Sequence, residues 1–270
     1  MAEITAKVVN ELRGKLGLPM MECKKLLTES GGDIEKAVDI ARKRGVKSSI
    51  SARTATEGCV VAEIAADKTR GAVVEIICNT DFTAKSDPIA KVAKLAIERL
   101  LKQPGQNPAD DADIKAQLTA VSQQTGENVQ LAHTATLESE FVGGYTYTTA
   151  GKGKVAVLMA FTAKPEDALV SQMGMHIVAA RPIAHTRDQV PADVVAKERE
   201  IAVEQAKATG KPQQIAEKIA EGKLNAFYGE RVLLDQEFIN AEVYKGKVSE
   251  FLKTKGATLK KYVRVEVGQH

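Results

Sequence analysis

The apolar pattern of this 270-residue chain changes period at Gly58 and then runs the same order of elements twice. Val60-Val61-Ala62-Glu63-Ile64-Ala65 and Ala72-Val73-Val74-Glu75-Ile76-Ile77 read as strands joined by a hairpin turn at Asp67-Lys68-Thr69-Arg70-Gly71. A helix follows, with Ser86 as its cap and Ile89, Val92, Ala93, Ala96 and Leu100 as its inward stripe. From residue 141 the plan recurs: Tyr145-Thr146-Tyr147-Thr148, a turn at Ala150-Gly151-Lys152-Gly153-Lys154, Val155-Ala156-Val157-Leu158-Met159, then a helix over about 166–180 carrying Leu169, Met173 and Ile177. Gly71-Ala72-Val73-Val74-Glu75 aligns with Gly153-Lys154-Val155-Ala156-Val157. A repeated hairpin and helix implies an α+β fold whose core is two duplicated subdomains with antiparallel sheets. A strand over 129–138 follows the first copy's helices, and one over 261–267 completes the second sheet.

Helical periodicity governs both the start of the chain and an insertion in the second copy. Residues 4–45 read as three short helices: Ile4, Val8, Leu12 and Leu16 after a Thr5 cap; Met21, Leu26 and Leu27; and Ile34, Ala37, Val38 and Ala41 after Asp33. So small a bundle has little core of its own. A polar stretch from Lys47 to Thr56 reads as a linker. Within the second copy, Val194, Ile201 and Ala208 recur every seven residues, Gly210-Lys211-Pro212 turns the chain, and Ile215, Ala216 and Ile219 begin a returning helix. The expected division is 1–53 for the bundle, 54–140 and 141–270 for the two core subdomains, and about 190–226 for an inserted antiparallel helical hairpin with charged outer faces.

Composition excludes more than it selects. With 44% apolar residues the chain can fill its cores, and a net charge of +3 from 38 basic and 35 acidic side chains gives no strong pull on nucleic acid. Cys23, Cys59 and Cys78 are odd in number and lack CxxC spacing, which fits a reducing compartment. His133, His176, His185 and His270 are scattered without metal-site spacing. Met1-Ala2-Glu3-Ile4 opens no signal segment and no apolar run is long enough to cross a bilayer, so the expected location is cytoplasmic. Gly151-Lys152-Gly153-Lys154 lacks the GxxxxGK[ST] arrangement of a phosphate loop and reads as a hairpin turn. No ordered triad or nucleophile elbow is present, so an enzyme is not expected. Arg42-Lys43-Arg44 and the turn cations Lys68, Arg70, Lys152 and Lys154 could meet phosphates. With aromatics at 4%, solvent-facing charge is the better account of them, and an RNA-associated module is the competing class.

One site stands out. Thr80-Asp81-Phe82 sits where the strand ending at Cys78 gives way to a helix, and neither period sends Phe82 inward. An aromatic beside an acid there is either a probe aimed at another molecule or ordinary turn chemistry, with Asp81 capping amides and Phe82 covering the sheet end.

In context these residues resemble the bacterial elongation factor Ts family. The resemblance rests on Leu12-Arg13, Met20-Met21-Glu22-Cys23-Lys24-Lys25-Leu26-Leu27, Gly32-Asp33-Ile34-Glu35-Lys36-Ala37, Cys78-Asn79-Thr80-Asp81-Phe82-Thr83-Ala84-Lys85, Met175-His176-Ile177-Val178-Ala179-Ala180-Arg181-Pro182, Ile215-Ala216-Glu217-Lys218 and Leu233-Leu234-Asp235-Gln236-Glu237-Phe238, in order over nearly the whole chain. It implies a ubiquitin-associated-like N-terminal bundle, the two-subdomain core and the inserted hairpin. It also implies a guanine-nucleotide exchange factor that binds elongation factor Tu and promotes GDP release, with no cofactor and no nucleotide site of its own. Asp81 and Phe82, with Thr80 before them, would enter the partner's G domain near its magnesium and phosphates. The region of Met20 and Met21 would contact a G-domain helix, and the second core subdomain another domain. Many relatives carry a histidine in the loop that here reads Tyr147-Thr148-Thr149-Ala150-Gly151-Lys152 without one.

Overall fold

The computed structural model describes residues 4–16, 18–43, 55–208 and 212–269. The bundle consists of α1 (Ala6–Leu16), α2 (Met20–Glu29) and α3 (Ile34–Lys43). Thr5 Oγ1 accepts from the Val8 N–H and Asp33 Oδ1 from the Lys36 N–H, so both expected caps form. Val9, Leu12, Leu16, Cys23, Leu26, Leu27, Ala37 and Ala41 fill its core. Met21, expected on the apolar face of α2, lies outside it; Cys23 takes the inward place one turn before Leu27. The expected helix end at Gly45, most of the 47–56 linker and the first two residues of the 210–212 turn lie outside the described residues.

The core begins with β1 (Glu57–Ile64) and β2 (Arg70–Cys78), continues through α4 (Asp81–Ala84), α5 (Asp87–Lys102) and α6 (Ala112–Thr125), and closes its first sheet with β3 (Gln130–Glu138). The second part runs β4 (Phe141–Thr149), β5 (Lys152–Phe161), α7 (Asp167–Ala180), α8 (Ala192–Ala208), α9 (Gln213–Arg231), α10 (Val248–Thr254) and β6 (Leu259–Glu266). Both sheets are three-stranded and antiparallel, with orders β1-β2-β3 and β4-β5-β6, so the second strand of each hairpin lies in the middle.

The period-2 side-chain alternation of the strands explains how these layers stack. On β2, Ala72, Val74, Ile76 and Cys78 face α5 and α6, while Val73 faces the other sheet. On β5, Val157, Met159 and Phe161 pack with α7 and α10, while Ala156, Leu158 and Ala160 meet Val60, Val73 and Leu137 across the sheet interface. The central strands are therefore buried on both faces, which is why they read as nearly unbroken apolar runs. The result is four layers, helix–sheet–sheet–helix.

The β4–β5 turn is a two-residue hairpin with Ala150 and Gly151 both at positive φ, 50° and 82°. This is the turn expected in place of a phosphate loop. Beyond it Gly153 lies so close to β1 that an added Cβ would sit 2.0 Å from the Val60 carbonyl oxygen. Glycine at 153 thus lets the second hairpin reach the first sheet, and Lys152 follows. Lys152, expected among the exposed turn cations, is buried and bonded through Nζ to Glu57 Oε2 at 2.8 Å. Arg70 likewise turns inward, donating to the Leu101 carbonyl at 2.7 Å.

The inserted hairpin forms as expected, but with a different seam. Ala202, Ala206, Ala216 and Ala220 are buried between α8 and α9, whereas Ile201 and Ile215 point outward and are exposed. Small side chains let two helices approach closely: Ala216, expected at the start of the returning helix, is in the seam, while Ile201 of the seven-residue spacing gives its place to Ala202. Helix α9 runs on to Arg231, five residues past the expected end of the insertion at 226. At the base of the arm Arg187 donates to both carboxylate oxygens of Asp235 and lies over the Tyr228 ring at 4.8 Å.

Candidate functional site

The Thr80–Phe82 segment is built from below by hydrogen bonds and carries its aromatic into solvent. Strand β2 ends at Cys78, whose Sγ donates to the Thr80 carbonyl at 3.1 Å. Thr80 then adopts extended backbone and caps α4, its Oγ1 accepting from the Thr83 N–H at 3.3 Å. Asp81 and Phe82 form the first turn of that four-residue helix. Ser86 stands at the start of α5 as expected, but its hydroxyl donates to the Thr83 carbonyl at 2.7 Å and makes no cap bond to the α5 amides. The segment is thus a capped turn of helix separated by Lys85 and Ser86 from a longer one. Both halves of the turn-chemistry alternative fail here: Thr80, not Asp81, is the cap, and Phe82 is 82% exposed and covers nothing.

Charge surrounds this tip. Asp81 Oδ2 accepts from Lys85 Nζ at 2.9 Å, and that bond, aided by the fields of Lys85 and Lys152, holds its carboxyl below the usual range against partial desolvation. Lys152 brings the second subdomain's hairpin to the same place, where its bond to Glu57 lowers that carboxyl too. Glu127, 47 residues from Thr80, accepts four hydrogen bonds: the Asn79 and Thr80 N–H groups at 3.0 and 3.1 Å, and the Thr80 and Thr83 hydroxyls at 2.7 and 2.8 Å. Burial works against its ionisation, but these donors outweigh it and keep the carboxyl below its ordinary value. Sequence reasoning missed Glu127. Its only local mark is Gly126 before it, the left-handed C-cap that ends α6.

Met20 and Met21 open α2 directly after Pro19 and are 52% and 66% exposed. Neither belongs to the bundle core. Beside Met21 a shallow concavity of about 300 Å³ is lined by Lys24, Lys25, Thr28 and Glu29. The bundle's hydrophobic cluster contains bundle residues only, so the methionines and the Thr80–Phe82 tip belong to separate packing units.

The rest of the chemistry is quiet. Burial pushes the Cys59 and Cys78 thiols up to about 11, which keeps them protonated and poorly nucleophilic near neutrality. His176 is buried, accepting at Nδ1 from the Ile239 N–H and donating from Nε2 to Gln236 Oε1. Among the described residues no cluster of three or more His, Cys, Asp or Glu could hold a metal ion, and no helix is long and apolar enough to cross a membrane.

The geometry is thus a solvent-facing acid–aromatic tip on a four-layer α+β core, with a helical bundle before it and a helical arm in it. Residues 79–269 match the family model described as "Elongation factor TS". The chain is 40% identical to elongation factor Ts of Pasteurella multocida over 272 residues, covering all of this chain and 93% of that one. It is 38% identical to the protein of that name from Photorhabdus laumondii over 275 residues and 39% identical to that from Rhodospirillum rubrum over 292, each alignment spanning all of this chain and 94% of the relative. The chain belongs to the elongation factor Ts family. Its role is accordingly that of a guanine-nucleotide exchange factor for elongation factor Tu in translation elongation, not of an enzyme.

Proposed function

We propose that exchange is driven by insertion of the Asp81–Phe82 tip into the G domain of elongation factor Tu, beside its magnesium and nucleotide phosphates. The observation that carries this is the exposure of Phe82, 82%, on a helical turn that is hydrogen-bonded from both sides. A large aromatic held rigidly in water gains by finding an apolar cleft, and full burial would stabilise the open form of the partner by about 1.5–3 kcal/mol. Asp81 acts by charge, repelling phosphate oxygens and offering its carboxylate to groups displaced from the magnesium. Only a difference in affinity between nucleotide-free and GDP-bound partner can shift the exchange equilibrium, and the coupling is reciprocal.

In the same reading Met20 and Met21 dock the N-terminal bundle on a G-domain helix, Met side chains adapting to the surface they meet. The second core subdomain contacts another domain of the partner. The shared strand order of the two sheets, each hairpin followed by a helix, supports reading 54–140 and 141–270 as duplicated copies, with 1–53 a ubiquitin-associated-like module. The nucleotide site is the partner's alone and this chain binds no nucleotide itself, no nucleic acid is contacted, and the site of action is the cytoplasm, where translation takes place.

Stopped-flow release of fluorescent GDP from purified elongation factor Tu tests the tip. Phe82→Ala and Asp81→Ala are each expected to slow stimulated release at least tenfold. Phe82→Ala should leave stability within about 0.5 kcal/mol of the parent, since an exposed side chain contributes little to folding. If both variants release GDP at the parental rate, the tip assignment is wrong.

A further inference from the structure

We propose that Glu127 is a positioning residue for nucleotide exchange: its carboxylate fixes the backbone from which Asp81 and Phe82 project. The inference rests on the tip reading above and adds a residue to it. Phe82 is almost wholly in solvent, so its own side chain makes little contact that could restrain it. Restraint has to come from beneath, and Glu127 supplies four hydrogen bonds to it from a distant part of the chain. Its Oε2 takes the two successive backbone N–H groups of Asn79 and Thr80, at 3.0 and 3.1 Å. Its Oε1 takes the hydroxyls of Thr80 and Thr83, at 2.7 and 2.8 Å, one on either side of Asp81–Phe82. A second strut lies alongside, where the Asn128 N–H donates to Asn79 Oδ1 at 2.7 Å.

Hydrogen bonds to an ionised acceptor are about twice as strong as neutral ones, and the donors here bracket the tip. A tip held this way meets its partner already ordered, and the ordering cost otherwise charged to binding is removed. Glu127 touches neither the partner's nucleotide nor its magnesium in this arrangement; it acts through Thr80 and Thr83. Gln at 127 can keep half of the pattern, its carbonyl oxygen facing the two amides and its NH2 donating to the threonine oxygens. Ala keeps none.

The test uses the full chain with purified elongation factor Tu and compares stimulated GDP release for Glu127→Ala, Glu127→Gln, Asp81→Ala/Phe82→Ala and the triple variant Asp81→Ala/Phe82→Ala/Glu127→Ala. Expected is a loss of about tenfold for Glu127→Ala, with most of the rate restored in Glu127→Gln. The triple variant should be no slower than Asp81→Ala/Phe82→Ala, because positioned side chains that are absent cannot be mispositioned. Hydrogen exchange should quicken at the Asn79 and Thr80 amides of Glu127→Ala while those of Val74 and Ile76 in β2 stay protected. A Glu127→Ala loss that persists at full size in the Asp81→Ala/Phe82→Ala background, or protection lost throughout β2, would mark a general folding role and overturn the proposal. Parental exchange by Glu127→Ala while Asp81→Ala/Phe82→Ala is slow overturns it alone; a neutral Asp81→Ala/Phe82→Ala overturns the tip reading along with it.

Discussion

The two ends of the Lys152–Glu57 pair are expected to respond very differently to removal. Lys152 Nζ lies 2.8 Å from Glu57 Oε2, the lysine side chain 8% exposed and the glutamate 39%. At that distance and an effective dielectric of about 20 the attraction is about 6 kcal/mol, most of it offset by the cost of taking the ammonium out of water. Glu57→Ala strands the ammonium. Breaking a buried pair costs about 3–5 kcal/mol, and the water that reaches the glutamate side lowers the expected loss to about 2–3 kcal/mol. Lys152→Met removes the charge, keeps the apolar stem and leaves Glu57 with access to solvent, so stability should stay within about 1 kcal/mol of the parent. Urea unfolding of the three proteins at pH 7, followed by far-UV circular dichroism, reads both values. Equal losses, or a larger one for Lys152→Met, would refute the reasoning, because the desolvated cation would then not be the group that needs its partner. The pair also has a pH signature. Glu57's carboxyl is depressed in the fold, so its contribution is present above the unfolded value of about 4.3 and is lost as pH falls through the lower folded value. Lys152→Met should remove that part of the acid sensitivity.

Two further outcomes follow from packing and burial. Ala216→Leu forces a larger side chain into the α8–α9 seam and should cost about 1–3 kcal/mol, seen as faster hydrogen exchange along both helices, whereas Ile215→Ala on the outer face should change stability by less than about 0.5 kcal/mol. Cys59 and Cys78 should react with an aromatic disulfide reagent at pH 8 only as fast as the core opens, because both thiols are buried and titrate near 11; prompt labelling of the folded protein would contradict their placement.

Much of the architecture was legible because period and burial agree. The strands alternate or run apolar, Thr5 and Asp33 mark helix starts by their chemistry, and Phe82 fits neither stripe, which is the mark of a side chain left outside. What escaped depends on pairings between distant segments. Lys152 reads as a turn cation until Gly153 brings its hairpin onto β1, and no spacing foretells that Glu57 waits there. Glu127 is one acid among many until β2 and the end of α6 are seen side by side. In the arm, the seven-residue spacing favours Ile201 as a seam residue, and the start of the returning helix offers Ile215 beside Ala216. Close approach of two helices selects the alanines beside them instead, a choice that depends on interhelical distance, which one helix's pattern does not contain. The helix α4 escaped for a simpler reason: four residues are too few to show a period.

The central claim is that Phe82 reaches the nucleotide site of the partner, and site-specific photocrosslinking tests it most directly. With benzoylphenylalanine in place of Phe82 and nucleotide-free elongation factor Tu, irradiation followed by mass-spectrometric mapping should place the crosslink in the G domain, on segments beside the magnesium and phosphates, and excess GDP with magnesium should suppress it. Crosslinks confined to another domain of the partner or to this chain itself, while GDP release remains stimulated, would contradict the account.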